Sequence, residues 1–174
     1  MGTRLRRIIP CSLLAALAIA APALSEASVD HARIMVRYRA GASQSTILPN
    51  DESRLLIMVN RVRQTHGRLS PLIMDPALRS TARRHSQDMA LQGYIGHGSL
   101  DGRSIQDRLG WTLRPGTRVG ENVAAVQTVE QGHSGFVRSS GHLRNILDPA
   151  FRRVGIGVAT AGDAGIRITE DFAE

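Results

Sequence analysis

Three glycine-flanked stretches of the chain carry side chains that can do chemistry. His97 stands in Gly96-His97-Gly98-Ser99, Glu121 in Gly120-Glu121-Asn122, and His142 in Gly141-His142-Leu143-Arg144-Asn145. Two neutral imidazoles can bind zinc or another divalent metal, and a carboxylate beside them can orient the ion or act as base for its water. His97 and His142 are therefore the candidate metal ligands, with Glu121 next to them. Asn122 and Asn145 are candidates to support the site by bonding to backbone groups. The structural alternative is that Glu121 accepts amide hydrogen bonds and fixes a Gly-Glu-Asn turn. No sequence-local ligand motif such as His-Glu-x-x-His is present. Ser139 and Ser140 lie near His142 but lack the Gly-x-Ser-x-Gly setting of an activated serine.

These groups meet only if the intervening elements fold back on one another. Asn50 or Asp51 can cap a first helix, whose stripe is Leu55, Met58, Val59 and Val62 at i, i+3, i+4 and i+7. Gly67 stops it. Asp75-Pro76 is a strong start signal for a second helix, with Leu78, Ala82, His85 and Met89 on one face and Gly93 at its end. His85 falls on that apolar stripe and reads as a hydrogen-bonded core histidine. The glycine-rich segment around His97 reads as a loop. Ser104 can cap a short helix through Leu109, with Trp111 packing after it. The Gly-Glu-Asn turn leads into an extended Val123-Ala124-Ala125-Val126. Thr128 can cap a further helix with Val129 and Phe136 buried. Val154, Ile156 and Val158, then Ile166, Ile168 and Phe172, alternate around Gly162-Asp163-Ala164-Gly165 and predict a terminal β-hairpin. The expected fold class is α+β, a three-layer α-β-α sandwich around a small, mostly antiparallel sheet.

At 174 residues the chain suits one domain with a real core. It contains no lysine, and its arginines are scattered without aromatic interleaving, so a nucleic-acid role is a poor fit. The N-terminus has the order of a secretory signal, residues 1–25. Arg4, Arg6 and Arg7 precede an apolar run from Ile8 to Ala21, about fourteen residues where a membrane span takes about twenty. Ala23-Leu24-Ser25 supplies small residues for cleavage, and an uncleaved anchor is the alternative. Loss of the leader takes the formal charge from +7 to +4 and leaves no stable membrane span. It also removes Cys11, the one cysteine, so the mature chain has no disulfide. Residues 26–50 read as a linker or pre-domain segment, although Ile34, Val36 and Tyr38 alternate like a short edge strand. Residues 51–174 form the domain, expected as a monomer.

The order of these signals resembles the CAP superfamily, which comprises the cysteine-rich secretory, antigen-five and pathogenesis-related proteins, in its SCP-like extracellular, disulfide-free bacterial form. The residues that carry it are Asn60, Arg63, Gly67 and Leu72; Asp75-Pro76-Ala77-Leu78; Ala82, His85 and Met89; His97 with Asp101-Gly102-Arg103; Gly120-Glu121-Asn122; Gly141-His142 through Asn145-Ile146-Leu147; and Val154-Gly155-Ile156-Gly157-Val158 with Asp171-Phe172. The likeness runs from about Leu55 to Phe172. It implies secretion and a central cleft in which His97, Glu121 and His142 match three members of a four-residue cluster. In many eukaryotic members the fourth is a glutamate three residues after a tryptophan. Here Phe136 takes the aromatic place and Ser139 the acidic one, which makes Ser139 a site-supporting position and leaves one carboxylate. Two functions of different classes stay open. One is a secreted binding module for a lipid, sterol-like, protein or cell-envelope ligand. The other is a divalent-metal-dependent extracellular hydrolase acting on peptide or cell-wall material.

Overall fold

Helix α2 (Pro76–Gln92) underlies the sheet, and its ends follow the sequence signals. Asp75 Oδ1 accepts the amide N–H groups of Ala77 at 2.9 Å and Leu78 at 3.0 Å. Pro76 sits at the first helical position, where its missing N–H costs nothing. Gly93 closes the helix in the left-handed conformation at φ 66°. Leu78, Ala82, His85 and Met89 form its buried stripe as expected. The structure is a computed structural model and describes residues 36–37, 44–110 and 112–174. The expected leader, most of the 26–50 segment and Trp111 lie outside them.

The remaining elements are β1 (Val36–Arg37), α1 (Pro49–Val62), β2 (Ile73–Met74), β3 (Tyr94–Ile95), α3 (Ile105–Leu109), β4 (Val119–Val126), α4 (Val129–Arg138), α5 (Ser140–Ile146), β5 (Arg153–Thr160) and β6 (Ile166–Ala173). The main sheet has the order β2-β5-β6-β4; β2 runs parallel to β5, and the other pairings are antiparallel. Strands β5 and β6 are the predicted hairpin, in register from Arg153↔Ala173 to Thr160↔Ile166.

The two faces of β5 are built differently. A Cβ on Gly155 would stand 2.1 Å from the Leu78 backbone, and one on Gly157 would stand 2.4 Å from that of Ala82. Two glycines at strand spacing thus let α2 lie directly on the sheet. On the opposite face Val154, Ile156, Val158, Ile168 and Phe172 pack with Leu55 and Val59 of α1, Phe136 of α4 and Ile146 of α5. Helices therefore cover both sides of a mixed sheet, the α+β sandwich the sequence implies.

Three local features differ from expectation. The first helix starts at Pro49 with Leu48 as its cap residue, and neither Asn50 nor Asp51 caps it. Leu48 is pinned to the sheet by its N–H donating to Val158 O at 2.9 Å, and the fixed φ of Pro49 then starts the helix. The same helix runs on through a π-turn (Arg63–Gly67) before Arg68 turns left-handed at φ 49°. Lastly, Val36–Arg37 is a strand paired with β3, where a linker was the favoured reading. The π-turn has a structural consequence. It starts with the buried Arg63, whose Nη1 donates to the carbonyls of Ile146 at 2.7 Å and Asp148 at 3.0 Å, and its Nη2 to that of Phe151 at 3.2 Å. One guanidinium thus fixes the end of α5, the helix that carries His142.

Candidate functional site

Glu121 lies within strand β4 and not in a turn. Gly120, Glu121 and Asn122 pair with Phe172, Asp171 and Glu170 of β6. The glycine that reads as a turn signal is there for space, because a Cβ at Gly120 would stand 3.0 Å from both the Phe151 ring and Asn145 Oδ1. The Glu121 side chain is 2 % exposed and faces the α2 layer, where His85 Nε2 stands 3.9 Å from Oε2. A carboxylate buried this deeply needs partners. His97 Nδ1 donates to Oε1 at 2.9 Å, and Arg108 Nη2 donates to Oε2. Burial alone would raise the Glu121 pKa, but the His97 hydrogen bond and the Arg108 charge hold it below the usual carboxylate range.

Helix α3 delivers Arg108 to this point. It starts with a capping box: Ser104 Oγ accepts the Asp107 N–H at 3.2 Å, and Asp107 Oδ2 accepts the Ser104 N–H at 2.8 Å. Arg108 Nη1 donates back to His97 O at 2.8 Å, so one guanidinium binds both Glu121 and the loop that carries His97. Since His97 gives its Nδ1 proton to Glu121, Nε2 carries the lone pair. The ring is 40 % exposed, and Nε2 has no partner among the described residues. A carboxylate that fixes the tautomer and aims the second nitrogen outward is the arrangement shared by metal-binding and proton-accepting histidines.

His142 is the third residue of α5 and so does not sit on a glycine-bounded turn. Its ring meets Phe136 edge-on with centroids 5.1 Å apart. Burial, and then the repulsion a protonated His97 would exert, lower its pKa, so the imidazole is neutral at pH 7 and lies within electrostatic reach of His97. Two asparagines lash α5 to β4. Asn122 Nδ2 donates to His142 O at 3.3 Å, and Asn145 Nδ2 donates to Glu121 O at 3.0 Å and Asn122 Oδ1 at 2.9 Å. Ser139 stands between α4 and α5 as cap residue of the latter, with no side-chain capping bond.

The profile of the cysteine-rich secretory protein family, CAP, matches residues 56–169. The chain belongs to this family. Over 112 residues it is 35 % identical to the uncharacterized protein YkwD of Bacillus subtilis, and over 117 residues 31 % identical to the uncharacterized membrane protein YlbC of the same organism. Each alignment covers 64 % of this chain but only 43 % and 32 % of those proteins, so the chain spans less than half the length of either relative. Among solved structures, an extracellular SCP-domain protein of Bacillus anthracis superposes with TM-score 0.63 at 25 % identity, over 72 % of this chain and 41 % of that one. An outer surface protein of Borrelia burgdorferi superposes with TM-score 0.67 at 15 % identity, over 75 % of this chain and 98 % of that one, which bears on the fold alone.

In this CAP domain the sequence pointed to His97, Glu121 and His142 but missed the groups that stabilise them. Arg108 is one of many arginines in the chain, and nothing local marks it. Asp171, the cross-strand partner of Glu121, is fully buried; burial and then the Glu121 charge push its pKa well above the usual carboxylate range. Glu170 is also fully buried, and burial raises its pKa to about 8 against a hydrogen bond from Asn122 Nδ2 at 2.9 Å. This one was legible, because Ile166, Ile168, Glu170 and Phe172 share one face of an alternating strand. Among the described residues no three His, Cys, Asp or Glu side chains are grouped to hold a metal ion. The donors available to a divalent ion are His97 Nε2 and the His142 ring, with Glu121 behind His97. No described helix is long and apolar enough to cross a membrane.

Proposed function

We propose that the chain is an exported CAP domain that works as a binding module, with His97 as the contact group of its recognition cleft. The observation that carries this reading is the pairing of a buried, ionised Glu121 with a half-exposed His97. Burying a carboxylate is costly, and here it fixes one ring nitrogen and leaves the other facing outward. The lining next to this pair favours a polar ligand, protein or cell-envelope material, over a lipid or sterol. The cavity bordering His85 and Arg108 is walled by arginines, Asp88 and Ser99 and not by aliphatic side chains. Export is supported by the basic, apolar and small-residue order of the leader. It is also supported by the extracellular setting named for the Bacillus anthracis SCP-domain protein.

The hydrolase reading is favoured by one feature, the Nδ1–H tautomer that Glu121 imposes on His97, which suits a proton acceptor or metal ligand at Nε2. Two imidazoles fall short of the three protein ligands usual for catalytic zinc, so this reading stands second. Calorimetric zinc titration of the wild type, His97→Ala, His142→Ala, Glu121→Gln and His85→Ala separates the two. If the imidazoles hold zinc, either alanine variant at positions 97 and 142 loses most of the binding. Glu121→Gln then weakens it about 10–100-fold, and His85→Ala mainly lowers stability. Absence of zinc binding in the wild type removes the metal-dependent reading. Mass spectrometry of material co-purifying with the wild type but not with His97→Ala tests the binding module; identical material from both would overturn it.

A further inference from the structure

Strand β4 is an edge of the main sheet and is hydrogen-bonded to β6 on one side only. In an antiparallel pair, successive residues turn their N–H and C=O groups alternately toward the partner strand and away from it. Two bonds fix which residues of β4 turn away. Arg118 O, just before the strand, accepts the Glu174 N–H at 3.3 Å and so points to the β6 side. Glu121 O accepts from Asn145 of α5 at 3.0 Å, so Glu121, Val123 and Ala125 turn their backbone outward. Gln127 is next in that series, and its N–H donates to Gln131 Oε1 at 3.1 Å. Side chains of α5 and α4 thus cover the two ends of the outer edge. Between them the N–H and C=O groups of Val123 and Ala125 have no hydrogen-bond partner among the described residues, and both residues are partly exposed. Open edges are usually blunted by charge, proline or a bulge. From Val123 to Val126 there are only valine and alanine, in unbroken register with β6.

The free groups specify the occupant. A donor and an acceptor repeated at two-residue intervals, about 7 Å apart, are matched by another extended backbone. The flanks favour a short segment over a folded partner. Asn145 ties α5 across the Glu121 end and Gln131 closes the other, so a second copy of the eight-residue β4 would meet both. We propose that the outer edge of β4 takes up an extended peptide as an added strand, hydrogen-bonded to Val123 and Ala125. That strand lies beside the residues that hold both histidines. His97 is bonded to Glu121, two residues before Val123, and His142 O accepts from Asn122. The proposal rests on the binding-module reading for the purpose of the cleft and names its ligand class, a peptide held through its main chain.

The test is amide exchange and shift NMR on the full chain, with the capped pentapeptide acetyl-Ser-Val-Thr-Val-Ser-amide as probe. Without peptide, the amides of Val123 and Ala125 should exchange fast, and those of Asn122 and Ala124, which face β6, slowly. Saturating peptide should slow Val123 and Ala125 at least about ten-fold and shift their amides. Methylating the two valine nitrogens of the probe blocks one of its edges and leaves the other, so binding should persist. Methylating all of its backbone nitrogens should abolish the protection. Ala125→Pro removes one outward N–H and should weaken the peptide at least about ten-fold; the methylated probes decide the matter if that variant does not fold. Failure here is separable from failure of the His97 reading. Protection that survives His97→Ala, with identical co-purified material from both proteins, supports the edge and removes that reading. No saturable shift or protection, with co-purified material that differs, overturns the edge and leaves that reading standing. Protection that grows with protein concentration alone would assign the edge to a second copy. Shifts that survive full methylation would assign binding to side chains. Either result overturns the proposal.

Discussion

Glu121 is the residue on which most of the site depends, because two other side chains, His97 and Arg108, donate to its carboxylate. It orients His97, anchors Arg108 and, through Arg108, shapes the loop that returns to His97. Removing one partner of a buried pair leaves the other uncompensated, which typically costs about 3–5 kcal/mol. Glu121→Gln is therefore expected to lose stability of that order in urea unfolding at pH 7, and Arg108→Leu introduced alongside it should restore part of the loss. A loss below about 1 kcal/mol would mean that Arg108 finds another acceptor and that the pair is not the clamp described. The same substitution should release the His97 tautomer, visible as a change in its ring-nitrogen NMR shifts. Glycines on both sides of His97, and Gly120 just before Glu121, made these two legible in the sequence. Arg108 was not, since its role depends on α3 bringing it across to β4 and on no local pattern. His85 was read as core, and it is core, but its neighbour Glu121 lies far away in the chain.

At the scale of elements, alternation and the caps of α2, α3 and α4 follow the sequence, whereas the Asn50 or Asp51 cap of α1 and several glycines do not. Asp75, Ser104 and Thr128 cap the helices they were expected to cap. The alternation of Val154, Ile156 and Val158 predicts the strand that forms. Gly120 misled because glycine marks turns on average, whereas here it makes room for Phe151 and Asn145 inside a strand. Gly141 misled for a related reason and lies in the first turn of α5. Gly155 and Gly157 are the opposite case, where the lack of a side chain is itself the packing. Gly155→Ala would drive a methyl into the α2 backbone at 2.1 Å, and neither backbone can yield cheaply. The expected cost is at least about 1–3 kcal/mol by thermal or urea unfolding. Leu78→Ala, which empties a fully buried position on the facing helix, should cost about 2–5 kcal/mol. A Gly155→Ala protein of wild-type stability would show that α2 does not lie on β5 as described.

For the whole molecule, a single cysteine excludes any disulfide within the chain, so thermal unfolding should not respond to a reducing agent. The informative variable is pH, because buried groups of opposite habit are present together. Glu121 has a lowered pKa, so its stabilising contribution is present above the unfolded value near about 4.3 and is lost as pH falls through its folded value. His85 and His142 also have lowered values. The unfolded chain binds protons there before the folded one does, and stability rises with pH until about 6.5. Glu170 and Asp171 act in the other direction. Their folded pKa values are raised, to about 8 for Glu170, so the folded protein holds protons that the unfolded chain has released. Stability falls with rising pH across that interval and levels off for Glu170 above about 8. Below about 6.5 the histidines and the raised acids oppose each other, so the window that isolates the acids is about pH 6.5 to 8. The urea midpoint of the wild type should decline across it. Glu170→Gln retains the oxygen that accepts from Asn122 Nδ2 but carries no charge, so its decline should be shallower, and adding Asp171→Asn should leave the profile nearly flat. A wild-type midpoint that holds constant or rises from pH 6.5 to 8 would mean that both acids are ionised in the folded sheet, with charge partners that burial beside Glu121 does not provide.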